Sequence, residues 1–240
     1  MTTYSGFAYM YDQLMKDIPY EAWASYIDDT LVHHLGENRQ GRIVVDMACG
    51  TGNITLTLAK LGYDMIGIDM STDMLSQAQA KTAGENILYL AQDMRELDLY
   101  GTVDAVICTC DGLNYILDEG ELRAIFAKVK MFLNPGGVFI FDMNTEYKLQ
   151  EVLGGKCFTA KGVEWDNHYD PATQINKYHV VFTPEGESPF EEVHYQRAYA
   201  HDMVCDLLRG VGFATVKTYD SYSHDPISPN TIRHVFIAGF

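Results

Sequence analysis

The chain has 240 residues, 47% of them apolar, enough to bury one sizeable core in a single domain or a domain carrying an insertion. Its formal net charge of −16 argues against nucleic acid as a partner, because that affinity rests on Lys and Arg neutralising phosphates. No basic start precedes an apolar leader, no apolar stretch is long enough to cross a bilayer, and five cysteines without a C-x-x-C pair fit reduced thiols, so a soluble, cytoplasmic protein without a membrane partner is expected.

The first stretch, Tyr4 to Asp12, is dense in aromatics and leads to an amphipathic helix over Tyr20 to Leu35, with Trp23, Ile27, Leu31 and Leu35 on one face. The aromatics fit either plain packing or a lid. Ile43, Val44 and Val45 then make a short β-branched run, the composition of a strand buried on both faces. Asp46-Met-Ala48-Cys49-Gly50-Thr51-Gly52 follows. Gly50 and Gly52 permit positive φ and close backbone approach, and Thr51 and Asn53 are placed to cap the next helix. A ligand belongs in that crook.

A second strand, Met65 to Ile68, closes on Asp69, where an acid in a doubly wound sheet lies beside the first glycine turn and can accept from a ribose diol. Thr55 stands where a dinucleotide fingerprint needs its third glycine, which disfavours NAD. Ser71 or Thr72 caps a helix to about Ala83, and Ile87 to Ala91 reads as the third strand, with Gln92, Asp93 and Met94 at its carboxyl end. Val103 to Cys110 is the fourth strand, ending in the loop Asp111 to Tyr115. A helix over Glu119 to Phe132, a turn over Asn134 to Gly137 and a fifth strand, Val138 to Asp142, complete the alternation.

From Thr145 the period changes. Phe158 to Ala160, Val163 to Tyr169, Ile175 to Phe182 and Phe190 to Tyr199 read as extended, separated by turns at Asp170-Pro171 and at Pro184 to Pro189. A helix over His201 to Arg209 and strands over Thr215 to Tyr222 and Ile232 to Ala238 follow. The expected fold is α/β, a doubly wound, mostly parallel seven-stranded sheet of the Rossmann-like type with a small antiparallel β insertion. Residues 1–144 plus 197–240 form the expected core, with an N-terminal helical lid, and residues 145–196 the insertion over the substrate site.

The run V-V-D-M-A-C-G-T-G, with Asp69 after it, resembles motif I and its sequel in class I S-adenosylmethionine-dependent methyltransferases of the small-molecule type, from about Tyr4 to Asp142. The family often has glycine where this chain has Ala48. The resemblance implies S-adenosyl-L-methionine as cofactor and S-adenosyl-L-homocysteine as product, with methyl transfer to a small acceptor by direct displacement, needing neither metal nor covalent nucleophile. The implied cofactor-binding residues are Tyr11, Asp46, Ala48, Cys49, Gly50, Gly52, Asp69, Met70, Asp93, Met94, Cys110, Asp111 and Asn114. Asp46 and Asp111 are placed for the sulfonium or the methionine ammonium, with tying down the glycine turn as the alternative role of Asp46. Tyr4, Tyr115 and Arg197 are expected at the substrate, Arg197 either on a substrate carboxylate or in an ion pair to the core.

If the acceptor is an amine or hydroxyl a base helps, and Tyr115 and His168 are the candidates, each also readable as structural. The histidines show no metal-ligand spacing with a cysteine or carboxylate cluster, so no metal is expected. The chain is expected to act as a monomer or homodimer. A non-catalytic S-adenosylmethionine-binding module, an NAD-dependent oxidoreductase and an RNA methyltransferase, the last disfavoured by net charge, are the rival readings. The identity of the acceptor atom, N, O, S or C, stays open.

Overall fold

Successive residues of the central strands point into two different cores, one on each face of a seven-stranded sheet. Val44, Ala105, Ile107, Val138 and Ile140 join one core, while Val45, Val106, Cys108, Phe139 and Phe141 join the other. That period of two, apolar on both sides, is what a sheet covered by helices on both faces requires. The structure, a computed structural model, describes residues 8–160, 162–183 and 188–240, and nothing of the Tyr9 side chain.

The sheet contains β1 (Ile43–Met47), β2 (Asp64–Asp69), β3 (Leu88–Ala91), β4 (Val103–Cys108) and β5 (Leu133–Asn144). The next four strands form a separate sheet, β6 (Cys157–Ala160), β7 (Val163–Asp170), β8 (Ile175–Phe182) and β9 (Phe190–Arg197), paired antiparallel in chain order. Strands β10 (Thr215–Asp220) and β11 (Arg233–Gly239) return to the first sheet, whose order is β10-β11-β5-β4-β1-β2-β3. β11 lies antiparallel between β10 and β5, and the remaining pairs are parallel.

The helices are α1 (Ala8–Leu14), α2 (Tyr20–Leu35), α3 (Asn53–Lys60), α4 (Thr72–Lys81), α5 (Glu119–Phe132) and α6 (His201–Gly210). Ile27, Leu31, Ile54 and Leu58 of α2 and α3 cover one face; Leu122, Phe126, Val129, Val204 and Leu208 of α5 and α6 cover the other. Among the described residues no helix is long and apolar enough to cross a membrane. Strand order reverses between β1 and β4, so a crevice opens where both strands end, the position at which such sheets bind ligands.

Two local features differ from the sequence expectation. β5 starts at Leu133, so Asn134 to Gly137 is an irregular part of the strand, and its register against β4 jumps from the Val103–Leu133 pair to the Ala105–Val138 pair. Lys148–Leu153 forms a short π-helical segment inside the stretch expected to be an antiparallel β insertion. The turn expected at Pro184 to Pro189 lies largely outside the described residues, as do Tyr4 and Phe7.

Candidate active site

The turn after β1 is built on left-handed backbone at Ala48 (φ 60°), Gly50 (φ 54°) and Gly52 (φ 75°). A Cβ at Gly52 would stand 2.7 Å from the Tyr89 hydroxyl, so glycine is required there for space as well as conformation. The turn is tied to β2 by two bonds: Cys49 N–H donates to the Ile68 carbonyl, and Gly50 N–H donates to Asp69 Oδ2, each at 2.9 Å. Asp69 Oδ1 accepts from Ser71 N–H at 2.8 Å.

Thr51 and Asn53 do not cap α3, whose N-cap is Gly52, with no side-chain cap. They face α1 and α4 instead. The Thr51 hydroxyl and the Asn53 amide both donate to Asp12 Oδ1, at 2.6 and 3.1 Å, while Lys81 Nζ reaches Asp12 Oδ2 at 2.5 Å and Asn53 Oδ1 at 2.6 Å. These charge-assisted bonds latch the N-terminal helix onto the glycine turn and outcompete the local cap.

Asp46, at the end of β1, is buried, and its Oδ2 accepts from the Thr55 hydroxyl at 2.5 Å. Thr55 thus holds the strand-end acid from the position where a dinucleotide fold keeps glycine. Asp46 Oδ1 is buried, and no hydrogen bond reaches it among the described residues. Burial pushes the Asp46 carboxyl up to about 7, opposed by the Thr55 hydroxyl and reinforced by nearby Asp69.

A cavity of about 290 Å³ opens in the crevice. Tyr11, Ala48, Gly50, Asp69, Met70, Asp93, Met94, Cys110 and Tyr115 line it, together with Met74, Gln92, Arg95, Thr109, Gly112 and Ile116, which sequence reasoning missed. Cys49 lines only a smaller adjoining pocket, beside Tyr11, Tyr20 and Asn53. Arg95 pairs with Asp93 through two guanidinium nitrogens, Nε at 3.0 Å and Nη2 at 2.5 Å, so Asp93 meets the cavity as half of an ion pair. That pairing holds the Asp93 carboxyl below its usual range.

The other wall begins at a second left-handed turn, Cys110 (φ 56°) and Asp111 (φ 55°), whose N–H groups donate to Asp142 at 2.9 and 2.7 Å. Asp142 also accepts from the Tyr222 hydroxyl and Arg233 Nη1. Here several sequence expectations are corrected. The Asp111 carboxylate is taken by Arg233 Nη2 at 2.8 Å and Gln196 Nε2 at 2.6 Å, and is absent from the cavity wall. Asn114 is fully buried and braces the backbone, donating to the Asn144 and Arg197 carbonyls and accepting Asn144 N–H.

Arg197 donates to the Leu117 carbonyl at 2.9 Å and stacks over Tyr199, where the sequence suggested a substrate carboxylate or an ion pair. His168 is exposed on β7, its neighbours Asn167 and Tyr169 pointing inward, so it faces away from the cavity. Gly52 shapes the turn without lining the cavity, and Tyr4 lies outside the described residues.

His194 does not line the cavity but touches Tyr115, which does. It is 5% exposed on β9, its Nδ1 lies 3.4 Å from the Tyr115 hydroxyl, and its Nε2 lies 3.2 Å from Glu192 Oε2. The available sequence signal was the alternation of Glu192, His194 and Gln196, which places all three on one face of a strand.

A cavity at the switch point, between a glycine turn and a strand-end acid, defines an enzyme core of the doubly wound, nucleotide-cofactor class. The methyltransferase domain family matches residues 44–137. The protein named "Putative methyltransferase YqeM" of Bacillus subtilis (strain 168) is 34% identical over 245 residues, covering 98% of this chain and 96% of its own. The crystal structure of an S-adenosylmethionine-dependent methyltransferase from Clostridium acetobutylicum ATCC 824 superposes with a TM-score of 0.86 at 31% identity, covering 99% of this chain and 98% of the other. A glycine/sarcosine N-methyltransferase of Halorhodospira halochloris is 27% identical over 241 residues, covering 96% of this chain and 86% of its own. The chain belongs to the S-adenosylmethionine-dependent methyltransferases.

The residues present fit that cofactor. Asp69 stands at the strand end in the cavity wall, and Met70, Met74 and Met94 supply a polarisable apolar lining. Asp46, expected at the cofactor, lies behind that wall and does not line the cavity, with a buried carboxylate oxygen that no hydrogen bond reaches among the described residues.

Proposed function

We propose that the cavity holds S-adenosylmethionine with its adenosine against Asp69, Met70, Asp93 and Met94 and its methionine end towards the turn at Cys110, near Asp46. Bound there, the cofactor supplies an electrophilic methyl on a sulfonium. Asp69 binds the ribose diol, since a carboxylate with two backbone bonds is already oriented and still has acceptor capacity. Asp93 takes the adenine amino group from the Arg95 side of the cavity. Tyr11, carried on the latched α1, closes the site and excludes water. The acceptor is a small molecule that meets the methyl between Tyr115 and the four-stranded sheet, which acts as a cover built from residues 145–196.

The observation that carries this reading is the placement of Tyr115, whose ring lines the cavity while its hydroxyl touches His194 of that sheet. The formal charge of −16 supports a small acceptor over nucleic acid. Five free cysteines support a reducing compartment, the cytoplasm. The glycine/sarcosine N-methyltransferase relative makes amino compounds the first acceptors to try.

The test is transfer of a labelled methyl from S-adenosylmethionine to a panel of small amines, alcohols and thiols beside bulk tRNA and protein. Label in the small-molecule fraction is the expected result. Label confined to macromolecules, or cofactor binding with no transfer to any class, overturns the proposal.

A further inference from the structure

We propose that Lys148 binds a carboxylate carried by the methyl acceptor, so that the acceptor is a small organic acid held at the carboxyl end of β5 while its reacting atom faces the methyl. The inference rests on the reading of the cavity given above and adds the acceptor's chemical class and the residue that selects it.

The other cations around the crevice already have partners. Lys81 pairs with Asp12, Arg95 with Asp93, and Arg233 with both Asp111 and Asp142. Arg197, where the sequence suggested a substrate carboxylate, donates to the Leu117 carbonyl and stacks over Tyr199. Lys148 differs. Its Nζ donates to Asn144 Oδ1 at 2.7 Å, a neutral acceptor, and among the described residues no carboxylate lies within ion-pair distance of it. An ammonium has three donors, so two remain for a ligand.

Asp111 and Asp142 are near, yet they do not take up those donors. All four of their oxygens already accept, Asp111 from Arg233 and Gln196, and Asp142 from the Cys110 and Asp111 N–H groups, Tyr222 and Arg233. Burial and nearby Arg233 push the Lys148 ammonium below the usual lysine range, against the pull of Asp111, Asp142 and Cys110. An anion that replaces the lost water is what such a cation lacks.

Lys148 is also placed where the acceptor has to lie. Asn144, the last residue of β5, exchanges two bonds with Asn114, the neighbour of Tyr115, and its Nδ2 donates to Gln196 of the four-stranded sheet at 3.0 Å. The two walls proposed to enclose the acceptor therefore meet at the residue that carries the Lys148 ammonium. The stem is held too. Lys148 N–H donates to the Thr145 hydroxyl at 3.1 Å, that hydroxyl donates to the Thr231 carbonyl at 2.7 Å, and Leu149 beside it is fully buried. The π-helical turn that Lys148 opens is a form found often at functional sites.

One charge with two donors matches a carboxylate. A phosphate, with about two charges and three acceptor oxygens, is left under-served there. In a chain of net charge −16 an acid also needs such a point to be retained against the general field.

The decisive experiment follows the Lys148 ¹³Cε signal of the lysine-labelled full chain, assigned by Lys148→Arg, while acetate, acetamide or inorganic phosphate is titrated in. The titrations are run with and without saturating S-adenosylhomocysteine. A saturable shift with acetate, none with acetamide and a weaker response to phosphate is the expected result. No shift with acetate, an equal shift with acetamide, or tighter binding of phosphate overturns the proposal. Absence of S-adenosylhomocysteine binding by calorimetry would instead remove the reading of the cavity, and the titration without it still reads Lys148.

In turnover, glycine and 4-hydroxybenzoate are set against methylamine and phenol, their carboxyl-free partners. Lys148→Met is expected to raise KM for a carboxylated acceptor about 10- to 100-fold, the loss of one charge-assisted hydrogen bond, with kcat and cofactor Kd within about threefold. Lys148→Arg, which keeps the charge, is expected to restore most of that loss. Turnover of a carboxyl-free partner in preference to its acid, or a KM that Lys148→Met leaves unmoved, overturns the assignment.

Discussion

Asp69 Oδ2 accepts the Gly50 N–H at 2.9 Å, joining the end of β2 to the middle of the glycine turn after β1. One side chain therefore shapes the turn and faces the cavity. Burial raises the Asp69 carboxyl above its ordinary range, opposed by the backbone N–H groups of Ser71, Gly50 and Met70.

Asp69→Ala is predicted to weaken S-adenosylmethionine binding by roughly 2 to 4 kcal/mol, through loss of a charged acceptor in a desolvated site. Titration calorimetry on the folded variant measures it. Affinity equal to wild type would contradict the assignment of Asp69 to the ribose.

Asp46 makes stability of the ligand-free protein depend on pH in an uncommon direction. Its folded carboxyl titrates at about 7, against about 3.9 for an unfolded Asp, so between these values the folded state holds a proton that the unfolded state has released. Stability from this group is full below about pH 4 and falls as pH rises to about 7. About three pH units at about 1.4 kcal/mol each set an upper size of about 4 kcal/mol. Asp46→Asn, which keeps an acceptor for Thr55, is predicted to flatten that slope in urea unfolding between pH 4.5 and 7.5; an unchanged slope would assign it elsewhere.

Gly52→Ala is predicted to destabilise the protein by roughly 2 to 4 kcal/mol, summing left-handed backbone strain and overpacking against Tyr89. Pairing it with Tyr89→Phe, which removes the nearest atom, should recover part of the loss in denaturant melts. No recovery would mean that backbone conformation alone sets the cost.

How much of this was legible in the sequence depended on distance along the chain. The glycine turn and Asp69 are local motifs, and the apolar runs of β1, β4 and β5 are local patterns, so strands and crevice were readable. The caps at Thr51 and Asn53 failed because Asp12 and Lys81, far away in sequence, claim the same side chains. Asp111 was read as a cofactor ligand because its partner Arg233 lies 122 residues on. His168 and His194 sit on similar alternating strands, and only docking of the second sheet decides which face is buried.

The Asp12–Lys81 pair latches α1 to the glycine turn at partly exposed positions, so its contribution is modest and screened by salt. Asp12→Ala is predicted to weaken cofactor binding by about 1 kcal/mol, roughly fivefold, mainly through faster release. Stopped-flow dissociation reads this directly. A release rate equal to wild type would show that α1 stays closed without the latch.

The central claim is that the crevice is an S-adenosylmethionine site, and thermal unfolding with saturating S-adenosylmethionine, S-adenosylhomocysteine or NAD tests it most directly. At a hundredfold excess over Kd a ligand adds about 2.7 kcal/mol, or roughly 5 to 10 °C in Tm for a chain of this size. A shift of that size with both adenosyl sulfur compounds and none with NAD is the predicted result. A shift with NAD alone, or none with any of the three, would contradict it.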